Sequence, residues 1–84
     1  MYFVYVLKSQ LQNFHYIGHT RDVQQRLYAH NAGKVRSTKA YRPFKVIYTE
    51  SSPTKSAAAR REYYLKSAEG NITLRHTLKA RGIW

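Results

Sequence analysis

The sequence predicts an α+β fold, in which a three-stranded antiparallel sheet is flanked by three helices. Short runs of β-branched and aromatic residues indicate the strands, and longer segments with apolar residues at helical spacing indicate the helices. Capping residues, glycine and proline separate these segments, which gives the order β-β-α-β-α-α. The chain has 84 residues, of which 43% are hydrophobic, so we expect one packed domain spanning residues 1–84.

The N-terminal segment predicts a strand in the middle of the sheet. Residues 2–8 are rich in β-branched and aromatic types, and apolar side chains occupy both faces, as in a strand that is covered on both sides. A polar stretch follows, and a second short strand is predicted around residues 14–18, so that the two strands form an antiparallel hairpin. In a register that pairs Tyr5 with Tyr16, the two phenols would lie directly opposite each other on one face.

The first helix is predicted to begin at Thr20, whose hydroxyl can cap it, and to end near Asn31. Asp22 would then lie in the first turn, where a negative charge is favoured by the helix dipole. Gly33 is a natural stop, because glycine readily adopts the left-handed conformation that ends many helices. Residues 34–43 are predicted to form a loop.

A third strand and two further helices complete the predicted fold. Residues 44–49 form the strand, and Ser52-Pro53 predicts a helix start, with a cap residue followed by proline at the first helical position. This second helix is expected to run to about Ser67. Gly70 is expected to break the helical pattern before a last helix over residues 72–80.

Charge is the strongest indication of the partner. Fifteen Lys and Arg against four acidic residues give a formal net charge of +11, which favours nucleic acid first and an anionic membrane surface second. The last helix is too mixed for a basic amphipathic membrane helix, and no apolar run is long enough to span a bilayer. The N-terminal segment lacks the features of a signal peptide, so a cytoplasmic location is expected. The alternative is that the charge only confers solubility.

The shortage of acidic residues excludes most nuclease designs. A two-metal nuclease needs several convergent carboxylates, and the four acids of this chain are scattered along it: Asp22, Glu50, Glu62 and Glu69. No cysteine is present, so thiolate metal sites are excluded, and the four histidines show no paired ligand spacing. There is also no glycine-rich phosphate loop and no nucleophile elbow.

Glu62 is the acid whose position most needs an explanation. It lies on the same helical stripe as Ala58 and Leu65, which should face the core. A carboxylate on that stripe needs a partner. Either it has a functional role, or it forms a salt bridge with a nearby arginine or sits exposed at the rim of the core.

Arg26 and His30 lie four residues apart on the first helix, beside the apolar positions Val23 and Leu27. The planar fork of an arginine can bind a phosphate, and a histidine can transfer a proton or orient a hydroxyl. The alternative is that Arg26 extends into solvent and His30 fills the rim of the core.

Tyr5 and Tyr16 are either a packing pair or proton-transfer groups. A phenol has an unperturbed pKa of about 10, so a base role requires nearby cations or metal-bound water to lower it. The many basic residues of the chain could supply those cations.

The predicted loop before the third strand is a candidate nucleic-acid surface. Its basic residues suit contacts with a phosphate backbone: Lys34, Arg36, Lys39 and Arg42. Tyr41 and Phe44 are interleaved with them, and one of these aromatic rings could stack on a base. The alternative is a solvated loop without a partner.

Taken in order, these residues resemble the GIY-YIG nuclease superfamily. Tyr16-Ile17-Gly18 matches the second triplet, and Phe3-Val4-Tyr5 is a degenerate form of the first. The later positions also fit the pattern of the family, namely Arg26, His30, Glu62 and Asn71. Flanking segments are similar to the small single-domain bacterial members, and the resemblance covers about residues 2–78.

The resemblance implies a phosphodiesterase site with one divalent metal, Mg²⁺ or Mn²⁺, held by Glu62. Tyr16 or Tyr5 would help to deprotonate the attacking water, Arg26 would hold the scissile phosphate, and His30 would support the base. Asn71 would be an auxiliary polar group, and His19 stands where several members carry lysine. Together with the basic loop residues, Asn71 and His19 are expected to contact nucleic acid.

The expected function is therefore a metal-dependent endonuclease that cuts DNA with weak sequence preference, because affinity would come mainly from charge. One alternative is a non-catalytic nucleic-acid-binding module that keeps the nuclease fold. Another is a protein that binds structured RNA. The sequence leaves open the oligomeric state and which tyrosine is the base.

Overall fold

The computed structural model describes residues 1–84 and confirms the predicted α+β class and element order. The elements are β1 (Tyr2–Ser9), β2 (His15–Thr20), α1 (Val23–Asn31), β3 (Phe44–Ser52), α2 (Lys55–Lys66) and α3 (Ala68–Ala80). A short 3₁₀ turn, Lys39–Tyr41, lies in the loop before β3. None of the helices combines the length and the apolar character that crossing a bilayer requires.

Strand β1 is the central strand of the antiparallel sheet, whose order is β2-β1-β3. Val4 and Val6 of β1 face α2 and α3, where they pack with Ala58, Leu65, Leu74 and Leu78. Tyr5 and Leu7 face the side of α1, where they pack with Phe44, Val23 and Leu27. The prediction that the first strand is covered on both faces is therefore confirmed.

The hairpin does not adopt the register considered above, in which Tyr5 would pair with Tyr16, but one that differs from it by two residues. Tyr5 pairs with Gly18, and Tyr16 pairs with Leu7. The turn sets this register, because the Ser9 amide donates to the Phe14 carbonyl at 2.9 Å and closes the hairpin there. A shift of two residues keeps every side chain on its face. Tyr5 and Tyr16 are consequently diagonal neighbours, with ring centroids 6.3 Å apart.

The cap of α1 is Asp22, two residues after the predicted cap Thr20, and the helix itself begins at Val23. The Asp22 carboxylate accepts a hydrogen bond from the Gln25 amide at 3.0 Å, as an N-cap residue should. The Thr20 hydroxyl accepts from the Asp22 amide at 3.1 Å and so shapes the approach to the helix. The end of α1 at Asn31 is as predicted, and Gly33 has a φ of 78°.

Helix α2 begins at Lys55, so the predicted start at Ser52-Pro53 is wrong. Ser52 is still part of β3, and the backbone turns into the helix only after the proline. Thr54 is the cap, since its hydroxyl accepts from the Ala57 amide at 3.1 Å.

Gly70 lies inside α3 and does not break it, contrary to the prediction. The break falls at Ser67, which ends α2 and caps α3 by accepting from the Gly70 amide at 3.2 Å. A Cβ atom at position 70 would collide with the backbone carbonyl of Tyr64. Glycine is therefore needed for the close approach between the end of α2 and the start of α3, and not as a helix terminator.

Helix α2 crosses all three strands and is tied to both outer ones. Arg61 Nε donates to Glu50 Oε2 on β3 at 2.7 Å. The next residue, Glu62, accepts at Oε1 from Nδ1 of His19 on β2 at 2.6 Å. Consecutive helix residues point about 100° apart, so these two ion pairs reach opposite edges of the sheet.

Candidate active site

Two tyrosines and a histidine meet on the α1 side of the sheet. Tyr5 is buried because it belongs to the central strand, and Tyr16 is half-buried because it belongs to the outer strand β2. His30 is fully buried and lies against both phenol rings, with ring centroids 6.2 Å from Tyr5 and 4.8 Å from Tyr16. The alternative that His30 only fills the rim of the core does not hold.

A chain of hydrogen bonds fixes the protons of this group. The Thr38 hydroxyl, which is also buried, donates to the Val35 carbonyl at 3.3 Å and so accepts from His30 Nδ1 at 2.8 Å. This assigns the remaining proton of a neutral His30 to Nδ1. His30 Nε2 is then an acceptor, and the Tyr5 hydroxyl donates to it at 3.3 Å.

His30 is neutral at neutral pH. Burial lowers the pKa of its imidazole, and the nearby Arg26 guanidinium lowers the pKa further. Both effects disfavour the charged ring, so the acceptor at Nε2 remains available to the Tyr5 hydroxyl.

Tyr5 keeps its proton at neutral pH. Burial raises the pKa of its phenol, and the charges of Tyr16 and Glu62 raise it further, although Arg26 acts in the opposite direction. The basic residues of the chain therefore do not make Tyr5 a stronger acid than an ordinary phenol.

Gly18 makes room for the Tyr5 hydroxyl at the edge of the sheet. A Cβ atom at position 18 would lie 2.6 Å from Tyr5 Oη and 3.0 Å from the Tyr16 ring. Any larger residue would thus push one of the two phenols out of place. This is a physical reason for the glycine in Tyr16-Ile17-Gly18.

The Glu62 carboxylate lies between two basic side chains. Oε1 accepts from His19 Nδ1 at 2.6 Å, and Oε2 accepts from Lys66 Nζ at 2.7 Å. The partners of Glu62 are therefore a histidine and a lysine, and not an arginine. Partial burial would raise the pKa of Glu62, but the hydrogen bonds from Lys66 and His19 outweigh it and hold the pKa below its usual value. The carboxylate is therefore ionised at neutral pH, and 19% of the side chain is exposed.

Lys66 connects Glu62 with Tyr16. Its ammonium lies 5.7 Å from the centroid of the Tyr16 ring, within the range of a cation–π contact. Lys66 was not among the predicted site residues, although its position four residues after Glu62 on one helix is a usable signal. Thr38 was also missed, and nothing in the sequence marks it, because only the folded loop brings it to His30.

A shallow cleft of about 430 Å³ lies beside this group and is predominantly basic. It is lined by Tyr2, His19, Thr20, Arg21, Asp22, Gln25, Arg26 and Lys55. The cleft holds two predicted site residues, Arg26 and His19, and adds two basic residues that the sequence reasoning missed, Arg21 and Lys55. The cleft is lined by three cationic side chains, Arg21, Arg26 and Lys55, and by one carboxylate, that of Asp22. The Asp22 carboxylate already accepts a hydrogen bond from the backbone of α1 as its cap.

The predicted basic loop residues lie on the surface around the C-terminal end of α1. Lys34, Arg36, Lys39 and Arg42 are exposed, and the loop joins the site through the Thr38–His30 hydrogen bond. The aromatic residues of the segment are engaged within the fold. Phe44 is buried in the core, so it cannot stack on a base, and Tyr41 stacks on Phe14 with centroids 3.9 Å apart.

The Asn71 side chain bonds to the backbone. Its amide donates to the Leu65 carbonyl at 3.4 Å and so connects the start of α3 to the end of α2. The structure therefore brings together Tyr5, Tyr16, Arg26, His30 and Glu62, with His19 beside them, whereas the Asn71 side chain makes no hydrogen bond to any of these residues.

The donor set fits a hydrated divalent cation better than a protein cage. No three His, Asp or Glu side chains converge to hold a metal. Glu62 offers one ionised and partly accessible carboxylate. Mg²⁺ commonly binds one or two carboxylates together with water and substrate phosphates, so a single carboxylate is sufficient.

Comparisons with known proteins identify the family of this chain. The sequence model of the GIY-YIG catalytic domain matches residues 1–75. A UPF0213 protein from Staphylococcus haemolyticus is 42% identical over 67 residues, which cover 79% of this chain and 80% of that protein. A UPF0213 protein from Halobacterium salinarum is also 42% identical over 67 residues, covering 79% of this chain and 86% of the relative.

A solved structure shares the fold. The solution structure of a UPF0213 protein from Bacillus halodurans matches with a TM-score of 0.54 and 32% identity, over 90% of this chain and 83% of that one. The domain match, the relatives and the shared fold lead to one conclusion: this chain belongs to the GIY-YIG nuclease family.

Proposed function

We propose that this protein is a metal-dependent endonuclease that hydrolyses phosphodiester bonds in DNA with weak sequence preference, and that residues 1–84 act as one domain. The observation that carries the proposal is the ionised Glu62 carboxylate, which Lys66 connects to Tyr16 beside the buried Tyr5–His30 pair. Family membership supports nucleic acid as the substrate.

Glu62 would hold one divalent cation, Mg²⁺ or Mn²⁺. When bound, the cation would supply positive charge for the phosphate oxygens and promote ionisation of a water molecule. The other steps are assigned to side chains of the chain itself.

Tyr16 is the better candidate for the base that accepts a proton from the attacking water. Its ring is half-buried on an outer strand, and the Lys66 ammonium lies over it. Tyr5 is buried, and its hydroxyl already donates to His30. We therefore assign Tyr5, His30 and Thr38 the role of holding the Tyr16 ring in place.

Arg26 would bind the scissile phosphate and stabilise the charge that develops there. It lies next to the Tyr5 hydroxyl and faces the basic cleft together with Arg21 and Lys55. A guanidinium suits this role because it can contact two phosphate oxygens at once. The exposed loop residues would bind the adjacent backbone, namely Lys34, Arg36, Lys39 and Arg42.

The decisive experiment compares two glutamates of the same chain. Purified wild type, Glu62→Gln and Glu69→Gln are incubated with supercoiled plasmid and either Mg²⁺ or Mn²⁺. We expect wild type and Glu69→Gln to nick the plasmid, because Glu69 is an exposed residue in the first turn of α3. Glu62→Gln should be inactive, and EDTA should stop the wild type.

Equal cutting by Glu62→Gln, or no cutting by the wild type, would contradict the proposal. Circular dichroism of the three proteins would show that loss of activity is not loss of fold. The carbonyl oxygen of the glutamine can still accept a hydrogen bond from Lys66 or from His19, which retains one of the two contacts that Glu62 makes with them.

One observation favours a second candidate, a non-catalytic nucleic-acid-binding module. Both oxygens of Glu62 already accept hydrogen bonds from basic side chains, as in a purely structural ion-pair network. In that case the wild type would bind duplex DNA without cutting it, and Glu62→Gln would bind as tightly as the wild type.

A further inference from the structure

The Lys66 ammonium occupies the carboxylate oxygen that a cation at Glu62 would need. Nζ is 2.7 Å from Oε2, while His19 takes Oε1 at 2.6 Å. Each oxygen of the carboxylate therefore already accepts one hydrogen bond from a basic side chain. A divalent cation that binds Oε2 would be repelled by the adjacent ammonium and would have to displace it.

We propose that Lys66 is an internal competitor of the divalent cation at Glu62, and that it sets the metal affinity of the site. This inference rests on the proposed function, because it requires that Glu62 holds the metal. An internal ammonium always returns to the carboxylate when the metal leaves, since the helix keeps the two side chains together.

The position of Lys66 on α2 favours this competition. Glutamate four residues before lysine is the better of the two orientations for such a pair on a helix. Lys66 is also the last residue of α2, where a positive charge is stabilised by the helix dipole. These interactions are modest, so the ammonium is held firmly enough to compete but can be displaced.

The structure also provides a place for the displaced ammonium. The Lys66 side chain is 48% exposed, so it can move without opening the core. The face of the Tyr16 ring lies 5.7 Å from Nζ and attracts a cation. From there the ammonium would face the phosphate backbone of a bound nucleic acid.

A coupling between metal and nucleic acid follows. The phosphates stabilise the released ammonium, so bound nucleic acid makes it easier for the cation to displace Lys66 from Glu62. By reciprocity the bound cation raises the affinity for nucleic acid. Removal of the Lys66 charge should weaken this coupling, whereas removal of an equal charge elsewhere should not.

The test is a direct Mn²⁺ titration of the full chain without nucleic acid, with free Mn²⁺ measured by electron paramagnetic resonance. We expect Lys66→Gln to bind Mn²⁺ about 5- to 20-fold more tightly than wild type, because both the competitor and its repulsion of the cation are gone. Lys66→Arg should bind Mn²⁺ more weakly than wild type, because a guanidinium can hold both carboxylate oxygens.

Lys79→Gln is the matched control for charge. Lys79 is an exposed residue of α3 that makes no side-chain hydrogen bond to Glu62, and its loss should change the affinity by less than about twofold. Glu62→Gln should abolish the binding in every background. These four variants separate competition at the site from the effect of net charge.

The outcomes distinguish this inference from the proposed function. The role of Lys66 is overturned if binding depends on Glu62 but has the same affinity in wild type, Lys66→Gln and Lys79→Gln. That result leaves the metal site at Glu62 intact. An equal gain in Lys66→Gln and Lys79→Gln overturns it as well, since net charge would then explain the effect. Binding that does not depend on Glu62 overturns both proposals.

Discussion

Two tyrosines that look equivalent in the sequence lie in different environments. Tyr5 is buried on the central strand and donates a hydrogen bond to His30, whereas Tyr16 is half-buried on an outer strand with the Lys66 ammonium over its ring. The difference arises from strand order, because only β1 has a neighbouring strand on each side. We therefore expect the two phenols to contribute differently to cleavage and to stability.

Replacing each phenol by phenylalanine tests this difference. Tyr16→Phe should lower the single-turnover cleavage rate by about 10²- to 10⁴-fold, the usual contribution of a general base, with little change in stability. Tyr5→Phe should retain more activity but lower the free energy of unfolding by about 1 kcal/mol, through loss of the hydrogen bond to His30. The measurements are cleavage kinetics and urea unfolding; a larger loss of activity in Tyr5→Phe would reverse the assignment.

The buried His30 should make stability depend on pH. Its pKa is lowered by burial and by Arg26, so the unfolded chain takes up a proton at a higher pH than the folded one. The stability linked to this group is complete above the unfolded pKa of about 6.5 and declines as the pH falls below it. Urea unfolding between pH 7.5 and 5.5 should show this decline.

His30→Gln is the control for that pH dependence. The variant cannot titrate, so its free energy of unfolding should fall less between the same pH values, although it is less stable throughout. Burial and Lys8 also lower the pKa of His15, so part of the decline should remain. An unchanged slope in His30→Gln would show that His30 is not the source.

The residues of the site differ in how far the sequence could reveal them. Tyr5, Tyr16, Arg26, His30 and Glu62 could be named because their order and spacing follow a family pattern. Thr38 and the cleft residues Arg21 and Lys55 could not, because their roles depend on which loops and helix ends meet in space. Contacts between distant segments leave no periodic signal in a single sequence.

At the level of elements, the type and order of the helices and strands could be predicted, but several ends could not. Apolar periodicity identified each element correctly. The ends depended on competition between neighbouring capping residues, as when Asp22 instead of Thr20 accepts from the backbone of α1. The hairpin register depended on the turn at Ser9, which strand patterns do not encode.

Gly70 provides a test at this scale. Alanine is the better helix former by about 1 kcal/mol, so a glycine inside α3 would normally be improved by Gly70→Ala. Here the added methyl group meets the Tyr64 carbonyl, and we expect the free energy of unfolding to fall by about 1–3 kcal/mol. Thr73→Ala, at an exposed position of the same helix, should be neutral or stabilising in the same urea titration. A stabilised Gly70→Ala would contradict the close contact.

Over the whole molecule, the net charge of +11 dominates the expected interaction with nucleic acid. This property could be inferred from composition alone, because electrostatic attraction to a polyanion depends mainly on the number of charges. The distribution of the charges over the surface could not be inferred from composition. The fold places one basic group in the loop before β3 and another on α3, which packs against the opposite face of the sheet.

Two triple variants with the same loss of charge distinguish these surfaces. Replacing Lys34, Arg36 and Lys39 by glutamine should weaken duplex DNA binding and reduce the slope of log affinity against log salt by up to about 0.9 for each lost phosphate contact. The second basic group comprises Arg75 and Lys79 of α3 and its C-cap residue Arg81. Replacing these three residues by glutamine should reduce the slope much less. Fluorescence anisotropy across a KCl series measures both, and equal reductions would show that DNA does not prefer the loop surface.

The attachment of α2 to both outer strands has a mechanical consequence. Arg61 is tied to Glu50 on one edge of the sheet and Glu62 to His19 on the other. Rotation of α2 about its own axis would bring one of these residues closer to its strand and move the other away from its strand. Each ion pair therefore opposes the rotation that would shorten the other. The orientation of the Glu62 carboxylate therefore depends on Glu50, at the opposite edge of the sheet.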